Sequence, residues 1–416
     1  MSTIKNTLLN NRYIPIKKIG SGSFSIVWLT FDINTLKYYA LKVQNSKDYN
    51  DALHELTVYE YLKNNCNNIM NIYDAFEIKH DTDNDILPNI CMVMDLMTCS
   101  SHLLLKTNKY NNGLDIPTVI RIIKHVLVDL CELHKNGIVH KDIKPENILI
   151  LDMFDVYHDI KQKLKLEKIV KKHSKGKQKL DKCAKNNIVN EISNKNCNND
   201  SDSDSDSDND DSDNYDSNSN SNSNNIDINN ITLNKNIIVK IGDMGHCMLP
   251  GIIFEHKPQP NYYLAPEILM KLEYDTSADM WALGCTIYEL LTGNILFDSE
   301  YYNGNTYRHH LYMIVEKLGM FCQEDIKKSP EKDIFFNKQC TFIKGHRGIK
   351  FQRPLWKDLK EICEKNSLSK TDEQTFINFM MLLFKYNIKE RLTAENALHH
   401  DIFNMEILHC SQIDTR

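Results

Sequence analysis

A long polar stretch, residues 155–236, interrupts an otherwise globular sequence. Lysine dominates residues 161–187, and residues 198–225 are almost entirely Asn, Ser and Asp. This composition offers too few apolar side chains to offset the entropy lost on ordering, so we expect a largely disordered insert, with a marginal helix around 163–171. Because loop-closure cost grows slowly with length, the segments on either side can still fold as one unit.

The flanking segments change from strand-like to helix-like periodicity. Alternating apolar and polar residues predict antiparallel strands over Tyr13–Asp32 and Lys37–Val43, and short apolar runs predict strands over Ile90–Met94 and Ile237–Ile241. Apolar residues at helical spacing predict six helices: Asn50–Asn64, a long helix from Pro117 onward, Thr276–Leu291, Tyr307–Leu318, Trp356–Glu364 and Thr371–Tyr386. We therefore expect an α+β fold, a small β-rich unit followed by a larger helical one.

Composition and charge argue against several classes of protein. A hydrophobic fraction of 41% can supply a core, and a net charge of −6 is unlike that of a basic nucleic-acid-binding domain. The 12 Cys include no CxxC pair, which predicts unpaired thiols in a reducing compartment. A polar N-terminus and the lack of a long apolar run favour an intracellular protein, cytoplasmic with the nucleus as a second compartment, and no membrane span. We also expect a monomer.

A glycine-containing turn between two predicted strands is the first candidate binding site. Gly20 and Gly22 would let backbone N–H groups approach a phosphate without a Cβ in the way. Such turns are common, so the turn alone is weak. A dinucleotide-binding site is disfavoured because no helix follows the glycines.

A lysine on a strand and an acid on the next helix form a second candidate site. Lys42 lies in the predicted strand Lys37–Val43, where a lysine facing inward needs an anionic partner. Glu55 on the following helix is one candidate, and the α- and β-phosphates of ATP are another. Without further motifs, a solvent-facing lysine on an edge strand would be the simpler interpretation.

The most specific string is His-Lys-Asp-Ile-Lys-Pro-Glu-Asn, residues 140–147. In it, Asp142 can accept a proton from a substrate hydroxyl, and Lys144 can stabilise a transferring phosphoryl group. Asn147 and the later Asp243, at the end of a predicted strand, offer oxygen ligands for Mg²⁺. This spacing suits a loop wrapped around one point.

The order of these motifs resembles the eukaryotic protein kinase superfamily over nearly the whole chain outside the insert. Within it, the chain is most similar to the SR-protein (serine/arginine-rich splicing factor) kinases of the CMGC group, which also carry a long spacer, in most members nearer the hinge side of the large lobe. The likeness is carried by these segments: Gly20–Leu29, Ile90–Met94, Asp142–Leu149, Ser277–Trp281, Glu289–Gly293 and Phe335–Asn337.

The resemblance implies a bilobal protein kinase fold that binds ATP and Mg²⁺ in a cleft. Residues 1–97 would form the N-lobe, and residues 98–154 and 237–416 the C-lobe. Met94 would be the gatekeeper and Asp95–Met97 the hinge that reads adenine, while Glu267 would pair with Arg391. The expected nucleotide-site residues are Ile19, Gly20, Ser21, Gly22, Ser23, Phe24, Ser25, Ile26, Val27, Ala40, Lys42, Glu55, Met94, Asp95 and Met97.

Several positions depart from the family pattern. Lys141 replaces the Arg that in many kinases clamps an activation-loop phosphate, and no Ser or Thr lies between Gly245 and Ala265, only Tyr262 and Tyr263. We therefore expect activity without Ser/Thr phosphorylation of this loop. Leu264 replaces a CMGC arginine, and the basic segment 306–310 replaces the acidic docking residues. The nearby segment 344–347 is also basic, which weakens the expectation of Arg/Ser-rich protein substrates.

Alternatives remain for the insert and for the whole chain. The lysine run is either a solvated face or a patch for nuclear import or nucleic acid, and the Ser/Asp tract could be phosphorylated or act as an autoinhibitor. For the chain, an active protein kinase is favoured. A pseudokinase that serves as a binding module and a kinase-fold scaffold that works through its insert are the rivals.

Overall fold

The computed structural model describes residues 4–22, 24–66, 68–79, 88–151, 233, 237–251, 262–299, 306–343 and 353–407. Almost all of the predicted insert, including the helix around 163–171, lies outside the described residues. So do Ser23, most of the segment between Gly245 and Ala265, and residues 344–347.

The N-terminal unit is built on a five-stranded antiparallel sheet. Its strands run in the order β1-β2-β3-β5-β4: β1 Tyr13–Ser21, β2 Ser25–Asp32, β3 Lys37–Gln44, β4 Ile72–Ile78 and β5 Asn89–Met94. Helix α1, Tyr49–Asn65, connects β3 to β4 and buries one of its faces. Ile4 and Leu9 pack on a separate small cluster around Tyr13, Trp28 and Leu41.

A second, three-stranded sheet marks the start of the larger unit. It has the order β6-β7-β8, with β6 at Cys99–Ser100, β7 at Ile148–Leu151 and β8 at Ile238–Ile241. In the antiparallel β7–β8 ladder, Leu151 pairs directly with Ile238. The predicted insert therefore begins and ends at neighbouring strand ends, as its sequence position requires.

The larger unit is otherwise helical. Its helices are α2 Ser101–Leu105, α3 Ile116–Lys135, α4 Pro266–Leu269, α5 Ser277–Thr292, α6 Thr306–Leu318, α7 Gln323–Lys328, α8 Lys332–Phe335, α9 Leu355–Lys365, α10 Lys370–Leu383 and α11 Ala394–Leu398. Asp115 caps α3 by accepting a hydrogen bond from Thr118 N. Gly293 ends α5 at φ 72°.

The predicted elements are confirmed to within a few residues, with one exception at the end of α10. Strand β4 and the short elements β6, α2, α4, α7, α8 and α11 were not among the predicted elements. Helix α10 ends at Leu383, so its predicted extension to Tyr386 is wrong. The reason is local, because Leu392 N donates to the Leu382 carbonyl, which is the acceptor that Tyr386 N would use if the helix continued. Just beyond the helix end, Arg391 Nε donates to the Lys385 carbonyl.

A buried ion pair ties the helical unit together. Arg391 donates from Nη1 and Nη2 to the two Glu267 carboxylate oxygens at 2.6 and 2.9 Å, and also to the Ser277 carbonyl. Its guanidinium lies 5.2 Å from the ring centroid of Trp281. The predicted pairing of Glu267 with Arg391 is therefore present, with every charge bonded as burial requires.

The described cysteines are unpaired and mostly buried, as predicted. None of the described helices is long and apolar enough to cross a membrane. The proposed lobe boundaries at residues 97, 154 and 237 remain predictions.

Candidate active site

Three predicted site residues from distant parts of the chain form one ionic cluster. Lys42 Nζ on β3 lies 2.7 and 2.8 Å from the two Glu55 oxygens on α1, and 3.0 Å from Asp243 Oδ1. The Lys42 and Glu55 side chains are almost completely buried, whereas that of Asp243 is 42% exposed. The lysine thus faces inward, against the edge-strand alternative.

This cluster sets the charge state of its members. Burial alone would lower the pKa of Lys42, but Asp243 and Glu55 outweigh it and raise that pKa. Burial likewise works to raise the pKa of Asp243, and the Lys42 ammonium overcomes it and lowers that pKa. At neutral pH the ammonium and the Asp243 carboxylate are therefore both charged.

Sequence reasoning missed Gln44 as a member of this cluster. Its Nε2 donates to Glu55 Oε2 at 2.5 Å, and the residue is buried. Gln44 follows Lys42 by two residues on the same strand, so both side chains leave the same face of the sheet. That spacing was the available signal.

The predicted catalytic residues converge in the loop before β7. Lys144 Nζ lies 2.7 Å from Asp142 Oδ2, and Asn147 Nδ2 donates to the Asp142 carbonyl and to Asp142 Oδ2 at 2.8 and 2.9 Å. Asp142 and Asn147 are each 6% exposed. Lysine, acid and amide meet at one carboxylate, as the string of residues 140–147 predicted.

Asp279 at the start of α5 holds this loop in place. Its carboxylate accepts hydrogen bonds from His140 N and Lys141 N, both at 2.8 Å, and contacts His134 Nε2 at 3.0 Å. Lys141 has φ +69°, a conformation that costs a non-glycine residue free energy unless its surroundings fix it. Asp279 thus anchors a specific target, the backbone beside Asp142.

The catalytic loop and the Asp243 turn are joined directly. Gly242 N donates to the Asn147 carbonyl at 2.8 Å, and the Gly242 carbonyl lies 3.2 Å from His140 Nε2. Because His140 Nδ1 accepts from Asp142 N, its Nε2 carries the proton and donates. Burial lowers the pKa of His140, which keeps the ring neutral.

The glycine turn lies between β1 and β2, as predicted. Gly20 pairs with Val27 and Ser21 with Ile26, and Gly22 N donates to the Ser25 carbonyl at 2.9 Å. A Cβ added at Gly22 would meet no atom within 4 Å. The glycine there leaves open space that protein atoms do not fill.

The predicted hinge is at the end of β5. Met94 is buried and pairs with Ala40 on β3, which places the predicted gatekeeper beside another of the expected nucleotide-site residues. Ile19, Val27, Asp95 and Met97 are partly buried, and Phe24 is 38% exposed.

A polar network behind the hinge was not predicted. Asp95 Oδ2 accepts from Asn71 N and Nδ2 and from Lys240 Nζ on β8, the last at 3.0 Å, and Oδ1 accepts from Tyr73 OH at 2.6 Å. Burial opposes ionisation of Asp95, but these donors prevail and lower its pKa. Lys240 Nζ also donates to the Ile69 carbonyl.

The two tyrosines before the Ala-Pro-Glu segment differ in role. Tyr263 is buried, and its hydroxyl donates to Glu289 Oε2 at 2.6 Å on α5. Tyr262 is partly buried against the core. Tyr263 is therefore a packing residue rather than an accessible hydroxyl.

The residues predicted to hold a metal ion have suitable chemistry. Asn147 uses its amide nitrogen for both bonds to Asp142, so its oxygen is the atom that suits a cation. The lowered pKa of Asp243 keeps its carboxylate deprotonated. Oxygen ligands of this kind fit a hard divalent ion.

Comparison with known proteins agrees with this geometry. The family model described as "Protein kinase domain" matches residues 13–167 and 225–403. A putative serine/threonine-protein kinase of Acanthamoeba polyphaga mimivirus is 27% identical, covering 95% of this chain and 88% of the relative. The serine/threonine-protein kinase SRPK of Physarum polycephalum is 26% identical, covering 94% and 85%. The dual specificity tyrosine-phosphorylation-regulated kinase 3 of Rattus norvegicus is 24% identical, covering 94% of this chain and 53% of the relative.

Proposed function

This chain belongs to the protein kinase domain family, and on that premise we propose that it transfers the γ-phosphoryl of Mg·ATP to serine and threonine hydroxyls of proteins. It is a protein serine/threonine kinase with ATP as its phosphoryl donor. The observation that carries the proposal is the pairing of Lys42 with both Glu55 and Asp243. Asp243 directly follows Gly242, whose N–H donates to the Asn147 carbonyl in the loop that holds Asp142.

Each residue of the site has a chemical task. Asp142 accepts the proton of the attacking hydroxyl, and Lys144, already 2.7 Å from it, stabilises the charge on the transferring group. Lys42 binds the α- and β-phosphates while Glu55 holds it in place. The open space at Gly22 admits the phosphates close to the backbone.

Asn147 and Asp243 are the proposed ligands of Mg²⁺. When bound, the ion neutralises phosphate charge. The chain's own contribution is to fix both side chains: Asn147 through Asp142, and Asp243 through Lys42. Met94, Asp95 and Met97 are the proposed adenine-binding segment, with Ala40 and Val27 on either side of the ring.

The direct test is transfer from γ-labelled ATP by the full chain with Mg²⁺, comparing the wild type with Asp142→Asn. Asparagine keeps the size of the side chain but cannot accept the proton, so we expect kcat to fall by about 10²–10⁴-fold. Nucleotide binding should persist in this variant. Wild-type protein that binds Mg·ATP but transfers nothing would point to the pseudokinase alternative, as would loss of both activities.

We further propose that the substrates are Arg/Ser-rich proteins. The similarity to the SRPK of Physarum polycephalum supports this, as does Glu146, a 43% exposed acid four residues beyond Asp142 that contacts His102 at 3.3 Å. The test compares an Arg-Ser peptide, casein and a basic protein lacking Arg-Ser repeats. Preference for casein would contradict the proposal.

We also propose that activity does not depend on Ser/Thr phosphorylation of the segment between Gly245 and Ala265. That segment has no Ser or Thr, and its Tyr263 hydroxyl is engaged with Glu289. Treatment with a Ser/Thr phosphatase should leave kcat unchanged. A large loss of activity would overturn this part of the proposal.

The predictions for the insert concern residues outside those described. Its lysine run and Ser/Asp tract remain candidate sites for nucleic acid, for protein partners or for autoinhibition. The monomeric state and the cellular compartment also remain predictions.

A further inference from the structure

Residue 54 on α1 makes a contact that neither the catalytic cluster nor the hinge accounts for. His54 is 5% exposed, and its Nε2 lies 2.8 Å from the main-chain carbonyl oxygen of Cys247. A carbonyl can only accept, so His54 donates. The contact joins α1 to the chain immediately after the Asp243 turn.

The chain at Cys247 is fixed on its other side as well. Cys247 N donates to the Met244 carbonyl at 3.1 Å, and the residue is completely buried. Met248 and Val139 exchange two backbone hydrogen bonds, at 2.8 and 3.3 Å, just before the catalytic loop. His54 therefore connects α1 to a segment that is already bonded to the loop holding Asp142.

His54 and Glu55 are consecutive on α1, so their side chains leave the helix about 100° apart. Glu55 faces Lys42 on β3, and His54 faces the segment after Asp243. Contacts in two directions resist rotation of α1 about its axis, whereas either contact alone would leave that rotation freer. The position of α1 decides whether Glu55 reaches Lys42.

We propose that His54 is a positioning residue that keeps α1 bonded to the segment between Gly245 and Ala265 without any phosphorylated residue in that segment. This inference rests on the proposed kinase function and supplies a structural reason for its independence from Ser/Thr phosphorylation. The link goes to a backbone carbonyl, which is present whatever the modification state of the segment. His54 touches neither of the proposed reacting groups and acts through Glu55 and Lys42.

The test uses three variants of the full chain. His54→Leu removes the donor at similar size, and His54→Gln keeps an amide donor of similar reach. The control is Thr57→Ala, which changes an exposed residue of α1 whose hydroxyl donates to the Leu53 carbonyl within the same helix. The measurements are kcat, KM for ATP, nucleotide affinity, Tm, and hydrogen exchange of residues 49–65.

We expect His54→Leu to raise KM for ATP and to lower kcat/KM about tenfold, the size of one net hydrogen bond, with faster exchange in α1. His54→Gln should stay within about threefold of the wild type, and Thr57→Ala should match it. Wild-type kinetics in His54→Leu would overturn the proposal. The proposal would also be overturned if the Leu and Gln variants lost the same amount of kcat/KM, in proportion to their decrease in Tm, because that pattern indicates a packing role only.

Two further provisions keep the inference testable. If His54→Leu does not fold, His54→Asn takes its place, because its amide is one methylene shorter than that of Gln. If the wild type transfers no phosphate, the proposed function fails, yet nucleotide affinity and hydrogen exchange still report on the His54 contact. Unchanged values for both in the Leu variant would then refute the contact's role separately.

Discussion

Two buried aspartates near the site, Asp129 on α3 and Asp279 on α5, have pKa values shifted in opposite directions. Burial opposes ionisation of Asp279, but the hydrogen bonds of His134 and His140 and the charge of His134 overcome this and lower its pKa. Asp129 accepts a hydrogen bond from Ile241 N at 2.9 Å, and burial dominates, raising its pKa to about 7. The unfavourable effect of burial on the charged carboxylate is therefore offset at Asp279 and not at Asp129.

Asp129 should make stability depend on pH. Its pKa is about 7 in the fold against an ordinary value of 3.8, so the folded state binds the extra proton. Its contribution to stability is complete below about pH 4 and is lost as pH rises through about 7. We expect the free energy of unfolding of the wild type, relative to Asp129→Asn, to fall between about pH 4 and 7, by at most about 4 kcal/mol.

Denaturant unfolding of both proteins at four pH values in that range measures this difference. Asparagine retains an acceptor for Ile241 N, so the comparison isolates the titration. Because both proteins share every other titrating group, including the buried neutral His140, those groups cancel. A difference that is constant with pH would show that Asp129 is ionised in the fold.

At the scale of residues, the sequence predicted the groups that carry chemistry better than the groups that hold them. Asp142, Lys144 and Asn147 stand in one specific string, so their meeting was predictable. Gln44 and His54 take part through contacts with partners far along the chain. Such contacts depend on how helix α1 packs, which no local pattern encodes.

Strand β8 is the element that links the hinge to the catalytic turn. Its Lys240 reaches Asp95 and the Ile69 carbonyl, while two residues later Gly242 bonds to the catalytic loop. This four-residue strand and the residue that follows it therefore help to fix the positions of both Asp95 in the hinge and Asp243. Its apolar pattern predicted the strand, but the direction of the Lys240 side chain required the neighbouring sheet.

Removal of the Lys240 charge should weaken ATP binding more than catalysis. In Lys240→Met the stem is kept, and Asp95 loses its charged donor while the neutral donors of Asn71 and Tyr73 remain, so we expect KM for ATP to rise about three- to tenfold with kcat within about twofold. Steady-state kinetics at varied ATP measures both constants.

Lys135→Met is the matched control. Lys135 is 61% exposed and pairs with the exposed Glu395, and exposed pairs contribute little. Its kinetics should equal those of the wild type. Equal KM values for the Lys240 and wild-type proteins would mean that Asn71 and Tyr73 suffice to hold Asp95.

For the whole molecule, the insertion point is the most informative feature. The position of the insert was predictable because order resumes at a strand, and the β7–β8 pair confirms that its ends are neighbours. The helical unit was predictable in outline from its apolar spacing. Strand β4 was not, since its polar residues Asp74 and Glu77 are three residues apart and so lack the alternation of a strand, although its side chains are in turn partly buried and exposed.

Replacing residues 155–236 with a short Gly-Ser linker should stabilise the fold. The loop between Leu151 and Ile238 would become about eightfold shorter, which lowers the free-energy cost of closing it by about 2 kcal/mol at most. Denaturant midpoints of the shortened and full chains measure the change. A scrambled insert of the same length is the control and should leave the midpoint unchanged, whereas a loss of stability on shortening would reveal stabilising contacts from the insert.

The pairing of Leu151 with Ile238 also fixes an order of events during synthesis. The loop with Asp142 and strand β7 leave the ribosome before β8, and at roughly 5–20 residues per second the stretch between them takes on the order of ten seconds to make. Throughout that interval β7 has no β8 to pair with, and Lys42 can pair with Glu55 but not yet with Asp243. A nascent chain therefore lacks Asp243, one of the two proposed metal ligands, until the whole insert has been translated.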